Sequence, residues 1–376
     1  MTENLKEGIE ATEERHNFDT ETKEIDSGCV SMLNPDDESD FSYLFEIEQM
    51  VDRIREYKQP GFRMRSSWFG SIPVEPLTLA KRHYKRLGEF IRGYSSNRFY
   101  APRIKAFYDA CRVIGILDDR YLVPRAPNEY YGSTGKLYAE IFNELIEKIR
   151  ETCQSRGFKE QLRYLKDTAK RNEAKGLEFE AKMYEWKSRH LILVLHFGYK
   201  PEHRKDITED DIRMHRNRFF NNRRTNRLLR GINGYIWKIE RGEDSGLHLH
   251  LILFYSAEYR KDVIIGKMIG DYWVRVITNG KGAYWNSNAN KEKHNKWGYG
   301  DGTGLIKRGD TEKRHSLRKT IRYLAKTHEQ CLLMKDEEHF RTFDVSQVPE
   351  KMKAGRPRNE KVSCDQHCRD ECGDGN

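Results

Sequence analysis

The chain has few of the features that mark membrane, secreted or nucleotide-hydrolysing proteins. Its longest apolar runs, near His190 to Phe197 and Leu247 to Tyr255, are too short to span a bilayer. Mean hydropathy is −0.89. Cysteine is sparse: seven residues, an odd number, are scattered over 376 with no signal peptide ahead of them. That pattern fits reduced thiols in a cytoplasmic protein better than a disulfide framework. The glycine-rich run from Gly298 to Gly304 lacks the Gly-Lys-Ser/Thr ending of a phosphate loop, so it predicts a loop and no nucleotide site.

Charge is plentiful but uneven. Residues 1–40 hold 3 Lys and Arg against 13 Asp and Glu, which leaves the remainder with 65 against 46. An acidic segment without periodic apolar residues predicts a disordered tail. A basic body of this size attracts polyanions, of which nucleic acid is the commonest.

From 41 to 187 the apolar spacing is helical. Leu44, Ile47, Val51 and Ile54 form one stripe, and Pro102 opens a helix that buries Ile104, Phe107, Cys111 and Ile114. Ser133 is placed to cap a helix carrying Leu137, Ile141, Leu145 and Ile149, which Gly157 separates from a charged helix reaching Trp186. Over 188–345 the order becomes strand, helix, hairpin, helix, loop, helix. It predicts an α+β fold, an antiparallel sheet with packed helices, preceded by the helical N-terminal region. Residues 346–376 are a basic segment and a tail whose Cys364, Cys368 and Cys372 lack standard zinc-finger spacing.

The most informative run is Gly246-Leu247-His248-Leu249-His250-Leu251. Side chains alternate along a strand, so His248 and His250 share one face while the leucines share the other. Two adjacent imidazoles can hold a divalent cation from one side; the competing reading is a pair of core histidines bonded to backbone carbonyls. Glu240 ends the preceding strand, and antiparallel pairing would bring it near His248. Two imidazoles and a carboxylate suit Mg²⁺ or Mn²⁺ that also grips a phosphate oxygen.

A helix expected over Ser316–Gln330 places Leu317, Ile321, Leu324 and His328 on one stripe and Lys319, Tyr323 and Lys326 on another face. Off the apolar stripe, Tyr323 is a candidate nucleophile toward a phosphodiester, with Lys326 one turn on to lower its pKa or to stabilise the pentavalent phosphate. A second helix, expected from Thr208 to Arg230, is rich in arginine. Arg216, Arg223, Arg224 and Arg227 on it are candidate DNA contacts, with a solvated face as the alternative. Lys319, Arg356 and Arg358 complete the DNA set; the last two flank a proline in a segment shaped like a minor-groove hook. Trp273, Tyr284, Trp285, Trp297 and Tyr299 lie among lysines and suit either base stacking or coverage of the sheet.

The strand ending in His196-Phe197, the Gly246-Leu247-His248-Leu249-His250 run and Tyr323-Leu324-Ala325-Lys326 occur in the order of the three motifs of HUH (His-hydrophobic-His) rolling-circle replication initiators. More narrowly, His190 to Arg358 resembles the inovirus and prophage replication-protein family of YagK/YfjJ-like proteins. Ile239-Glu240-Arg241-Gly242, Gly270-Asp271-Tyr272-Trp273 and Gly355-Arg356-Pro357-Arg358 carry that narrower likeness. The resemblance implies an HUH endonuclease-like fold in the cytoplasm of a bacterial host. Its implied activity is a nick made by Tyr323 on single-stranded or hairpin origin DNA, with His248, His250 and Glu240 as metal ligands, a 5′-phosphotyrosine intermediate, and host replication machinery as a partner. Only one tyrosine stands in the third motif, which argues against a two-tyrosine relay. Two alternatives share the fold: a non-catalytic DNA-binding regulator, and a transposase or relaxase.

Overall fold

The computed structural model describes residues 43–350 except 66–72, 119–125, 133, 243–244, 293–299, 327–331 and 335–340. The acidic tail, the Ser133 cap, His328, Trp297, Tyr299, Arg356, Arg358 and the C-terminal cysteines therefore lie outside the described residues. Among those described, no helix is long and apolar enough to cross a membrane.

The N-terminal half is helical as its periodicity requires. Helix α1 (Tyr43–Glu56) buries Leu44, Ile47, Val51 and Ile54. After a short hairpin of β1 (Phe62–Met64) and β2 (Val74–Pro76) come α2 (Thr78–His83), α3 (Leu87–Arg92), β3 (Phe99–Tyr100), α4 (Pro102–Val113) and α5 (Tyr138–Gln154). Proline in the first turn of α4 fits its missing donor and fixed φ. The break expected at Gly157 falls two residues earlier: Ser155 caps α6 (Arg156–Trp186), its hydroxyl accepting from the Phe158 amide at 3.2 Å. Cys111 and Cys153 are buried free thiols.

His83 is buried in this helical core, and neither ring nitrogen has a hydrogen-bond partner among the described residues. Burial, helped by Arg53 and Arg82, lowers its pKa from 6.5 to about 4. The unfolded chain therefore takes up a proton that the folded chain refuses between about 6.5 and about 4, so stability contributed by this site is present above that window and is lost as pH falls through it. His83→Leu is expected to flatten the acid limb of urea-unfolding midpoints compared at pH 7 and pH 5. An unchanged limb would place the titrating group elsewhere.

At 31 residues, α6 bridges two cores: Phe158 packs in the helical one, whereas Phe179, Met183 and Tyr184 pack on the sheet. The remaining elements are β4 (Arg189–Tyr199), α7 (Glu209–Asn222), α8 (Arg227–Arg230), β5 (Ile232–Gly242), β6 (Gly246–Tyr255), α9 (Asp262–Tyr272), β7 (Gly282–Asn286), β8 (Gly304–Lys307), α10 (Thr311–Ala325), β9 (Leu332–Leu333) and β10 (Phe343–Val345). Strand β9 returns to pair with β3 and delivers Leu332 to the helical core.

Six strands make one antiparallel sheet in the order β10-β5-β6-β4-β7, with β8 also on β4. The eleven residues of β4 accommodate both: β8 pairs with Arg189–Ile192 and β7 with Leu195–Tyr199. One face presents Leu191, Leu193, Leu195, Leu249, Leu251 and Leu253 to α7 and α9. The other presents Ile192, Val194, Ile252 and Phe254 to α6 and α10. This is a mixed α/β architecture with helices on both sides of an antiparallel sheet, in agreement with the α+β expectation.

Two local expectations differ. The arginine helix is two pieces, because Arg223 ends α7 and Asn226 starts α8 by accepting from the Leu229 amide at 3.1 Å. Helix α10 spans Thr311–Ala325 instead of starting at Ser316, and Lys326 is its C-cap, one turn beyond Tyr323 with its amide donating to the Tyr323 carbonyl at 3.1 Å. Of the two readings for Trp273, Tyr284 and Trp285, coverage of the sheet holds, since all three are buried and packing against the strands removes more apolar ring from water than an exposed platform would.

Candidate metal centre

The turn at the head of the β5–β6 hairpin sets the site. Gly246 adopts φ 67°, a left-handed value that glycine takes without steric cost, and pairing then places Glu240 opposite His248 and Lys238 opposite His250. Strand β4 adds His196 opposite His250, with Trp285 of β7 beyond it. Partnered residues share a face, so a polar row crosses the sheet at the end of the face that α6 and α10 cover.

The apolar half of that face lies under Leu317, Ile321 and Leu324 of α10. Buried Glu180 of α6 fixes this helix in place. Its carboxylate accepts from Arg314 Nε at 2.7 Å and from Arg318 Nε at 3.0 Å. Gly176 permits the close approach, since a Cβ there would lie 2.6 Å from Ile321 Cγ2.

Ligand-bearing atoms of Glu240, His248 and His250 all lie within 4.8 Å of one another. Glu240 Oε2 is 2.9 Å from His250 Nε2 and 3.6 Å from His248 Nε2. Two ligands at right angles, each about 2.1 Å from one ion, stand roughly 3 Å apart, so this spacing suits a shared cation. His248 Nδ1 lies 3.1 Å from the Gly246 carbonyl, which can only accept. With the ring proton on Nδ1 and donated to that carbonyl, the Nε2 lone pair turned toward the cluster would be available to a cation. Both imidazoles are buried, and Glu240, 19% exposed, is the member solvent reaches most readily. Burial opposes the Glu240 charge, but the Lys238 ammonium, then His250 and His248, override it and hold the carboxyl well below the usual range. The donor set can hold a metal ion.

Family models, curated proteins and solved structures give no match to this chain. What the site does therefore rests on its own chemistry.

Tyr323 is 43% exposed on α10, with Lys319 one turn earlier and also exposed. The end of its helix is joined to the cluster through Lys238, whose Nζ donates to the Lys326 carbonyl at 3.2 Å. In contrast, the structure does not bring the arginines of α7 and α8 to the histidines. Ile212 and Phe219 seat α7 on the opposite face of the sheet. There Arg216 lies 4.1 Å from the Trp237 ring centroid and Arg223 5.1 Å from that of Tyr235, so both cations are built into aromatic packing. Burial lowers the Arg216 pKa to about 10, which leaves it charged at neutral pH. Arg224 and Arg227 are exposed on that side.

Two residues of the cluster escaped the sequence reading. His196 is half-buried with its ring centroid 4.4 Å from that of His250, edge to face. Lys238 is 1% exposed and ion-paired with Glu240 Oε1. A weak signal for Lys238 was present: in Ile236-Trp237-Lys238-Ile239-Glu240, the lysine falls on the same alternation phase as the carboxylate.

Proposed function

We propose that the chain is a cation-dependent enzyme with an HUH-type sheet that nicks and rejoins one DNA strand through a 5′-phosphotyrosine on Tyr323, and that it initiates rolling-circle replication of a phage or prophage element. The observation that carries this reading is the convergence of Glu240, His248 and His250 on the sheet face covered by the helix of Tyr323. Mg²⁺ or Mn²⁺ suits these donors and, when bound, draws electron density from the scissile phosphate.

Residues of the chain supply the remaining steps. The Tyr323 phenol attacks phosphorus and gives up its proton to solvent. The bond from phosphorus to the 3′ oxygen breaks, that oxygen takes a proton and leaves as a hydroxyl, and the 5′ phosphate stays on the phenol. One phosphodiester replaces another, so rejoining by the 3′ hydroxyl needs no nucleotide. Lys319, on the helix face of Tyr323, offers positive charge to the DNA backbone. Single-stranded or hairpin DNA avoids the cost of unpairing a duplex at the cleavage site.

A second reading, a DNA-binding regulator without catalysis, is favoured by one observation: Lys238 already balances the Glu240 charge, so the cluster is compensated without a cation. The two separate in one experiment. A 3′-labelled pool of random single-stranded and hairpin oligonucleotides is incubated with the protein and Mn²⁺, then denatured. The nicking reading expects label retained on the protein, lost with EDTA and in Tyr323→Phe. DNA binding at low salt without any retained label would overturn it in favour of the regulator.

A further inference from the structure

Lysine is seldom buried, because its ammonium loses hydration that only close partners restore. Lys238 is 1% exposed in the middle of a six-stranded sheet, where methionine would fill the same space at no such cost. Its two partners explain its presence. One is Glu240 Oε1, the carboxylate oxygen that does not face the imidazoles; Oε2 is the oxygen within 2.9 Å and 3.6 Å of His250 and His248. The other is the Lys326 carbonyl at 3.2 Å, at the cap of α10. Carbonyls at a helix C-terminus lack intrahelical donors and carry the negative end of the helix dipole, so an ammonium is the group they favour. Lys326 in turn donates its amide to the Tyr323 carbonyl at 3.1 Å. A single buried cation thus touches the carboxylate of the metal cluster and the last turn of the helix carrying Tyr323.

We infer that Lys238 is a positioning residue that sets the spacing between the cation site and the end of the Tyr323 helix, and that its charge holds cation affinity down. The inference rests on the proposed nicking reaction. With Oε1 held by the ammonium, Glu240 offers the cation one oxygen. The same positive charge, beside a divalent ion in a buried cluster, repels it. The wild-type site therefore binds its cation more weakly than the ligands alone would, in exchange for a fixed distance to the tyrosine.

The test pairs two measurements on the full chain: Mn²⁺ affinity by calorimetry, and nicking of the selected oligonucleotide at saturating Mn²⁺. In Lys238→Met, Mn²⁺ is expected to bind about tenfold tighter or more, while nicking falls about a hundredfold in kcat with little change in KM. Lys238→Gln, which keeps a donor for the carbonyl but no charge, is expected to show the tighter binding and to recover part of the nicking. Opposite movement of the two quantities is the signature, since general unfolding lowers both. Unchanged or weaker Mn²⁺ binding in both variants, or full nicking by Lys238→Met, overturns the inference. A wild-type protein that binds Mn²⁺ but never nicks overturns the proposed function instead, and the affinity comparison still decides the charge effect.

Discussion

His250→Ala is expected to weaken Mn²⁺ binding by roughly a hundredfold or more and to reduce nicking to background. Outer-shell partners of metal ligands are typically worth about 10–100-fold, and a ligand among only three protein donors is worth at least as much. His250 is also the central member of its row: Glu240 Oε2 lies 2.9 Å away on one side and the His196 ring packs edge to face on the other. Alanine would leave Glu240 facing Lys238 and a single imidazole. His250→Gln, which keeps more bulk and one polar end, separates loss of the ligand from loss of packing; it is expected to melt closer to wild type and still to bind Mn²⁺ poorly. Wild-type affinity in both variants would show that cations bind elsewhere.

Glu180→Ala is expected to cost about 2–3 kcal/mol, the loss of charge-assisted hydrogen bonds whose arginine donors keep partial access to water. Its fully buried carboxylate is held by Arg314 and Arg318. Urea unfolding measures the loss. The functional consequence is selective: α10 loses its buried ion pairs to α6 and keeps the Arg322–Glu173 pair and apolar packing, so nicking drops, whereas Mn²⁺ affinity persists because the ligands belong to β5 and β6. Equal loss of both would mean that α10 shapes the cation site itself, contrary to this division of roles.

How much of this was legible in the sequence depended on distance along the chain. The pairing of Glu240 with His248 follows from counting back from a short turn, and the Leu317, Ile321 and Leu324 stripe follows from helical spacing; both hold. Lys238 was overlooked because a lysine in a strand ordinarily faces water. Its partners are a neighbouring carboxylate and a backbone carbonyl 88 residues away, which carries no side-chain signal. The Glu180 contacts with Arg314 and Arg318 likewise span 134 and 138 positions.

The arginine helix illustrates a different limit. Arginine content is a property of the sequence, but which sheet face receives α7 is decided by where Ile212 and Phe219 pack, and that depends on the whole topology. Sequence leaves Trp273, Tyr284 and Trp285 open between stacking and sheet coverage for a similar reason, because composition around them is basic while their neighbours in space are strands. The start of α10 falls five residues before the expected Ser316, where Asp310 caps the first turn by accepting from the Lys313 amide at 3.1 Å, a signal that the apolar stripe alone does not carry.

The most direct test of the central claim is to identify the residue that carries the DNA. After reaction with Mn²⁺ and a 3′-labelled single strand, the denatured protein is digested with trypsin and nuclease, and the modified peptide is sequenced by mass spectrometry. The expected result is a 5′-linked nucleotide phosphate on Tyr323 alone, absent when His248 and His250 are both replaced. A phosphate on any other tyrosine, or an adduct that persists without the two histidines, would contradict it.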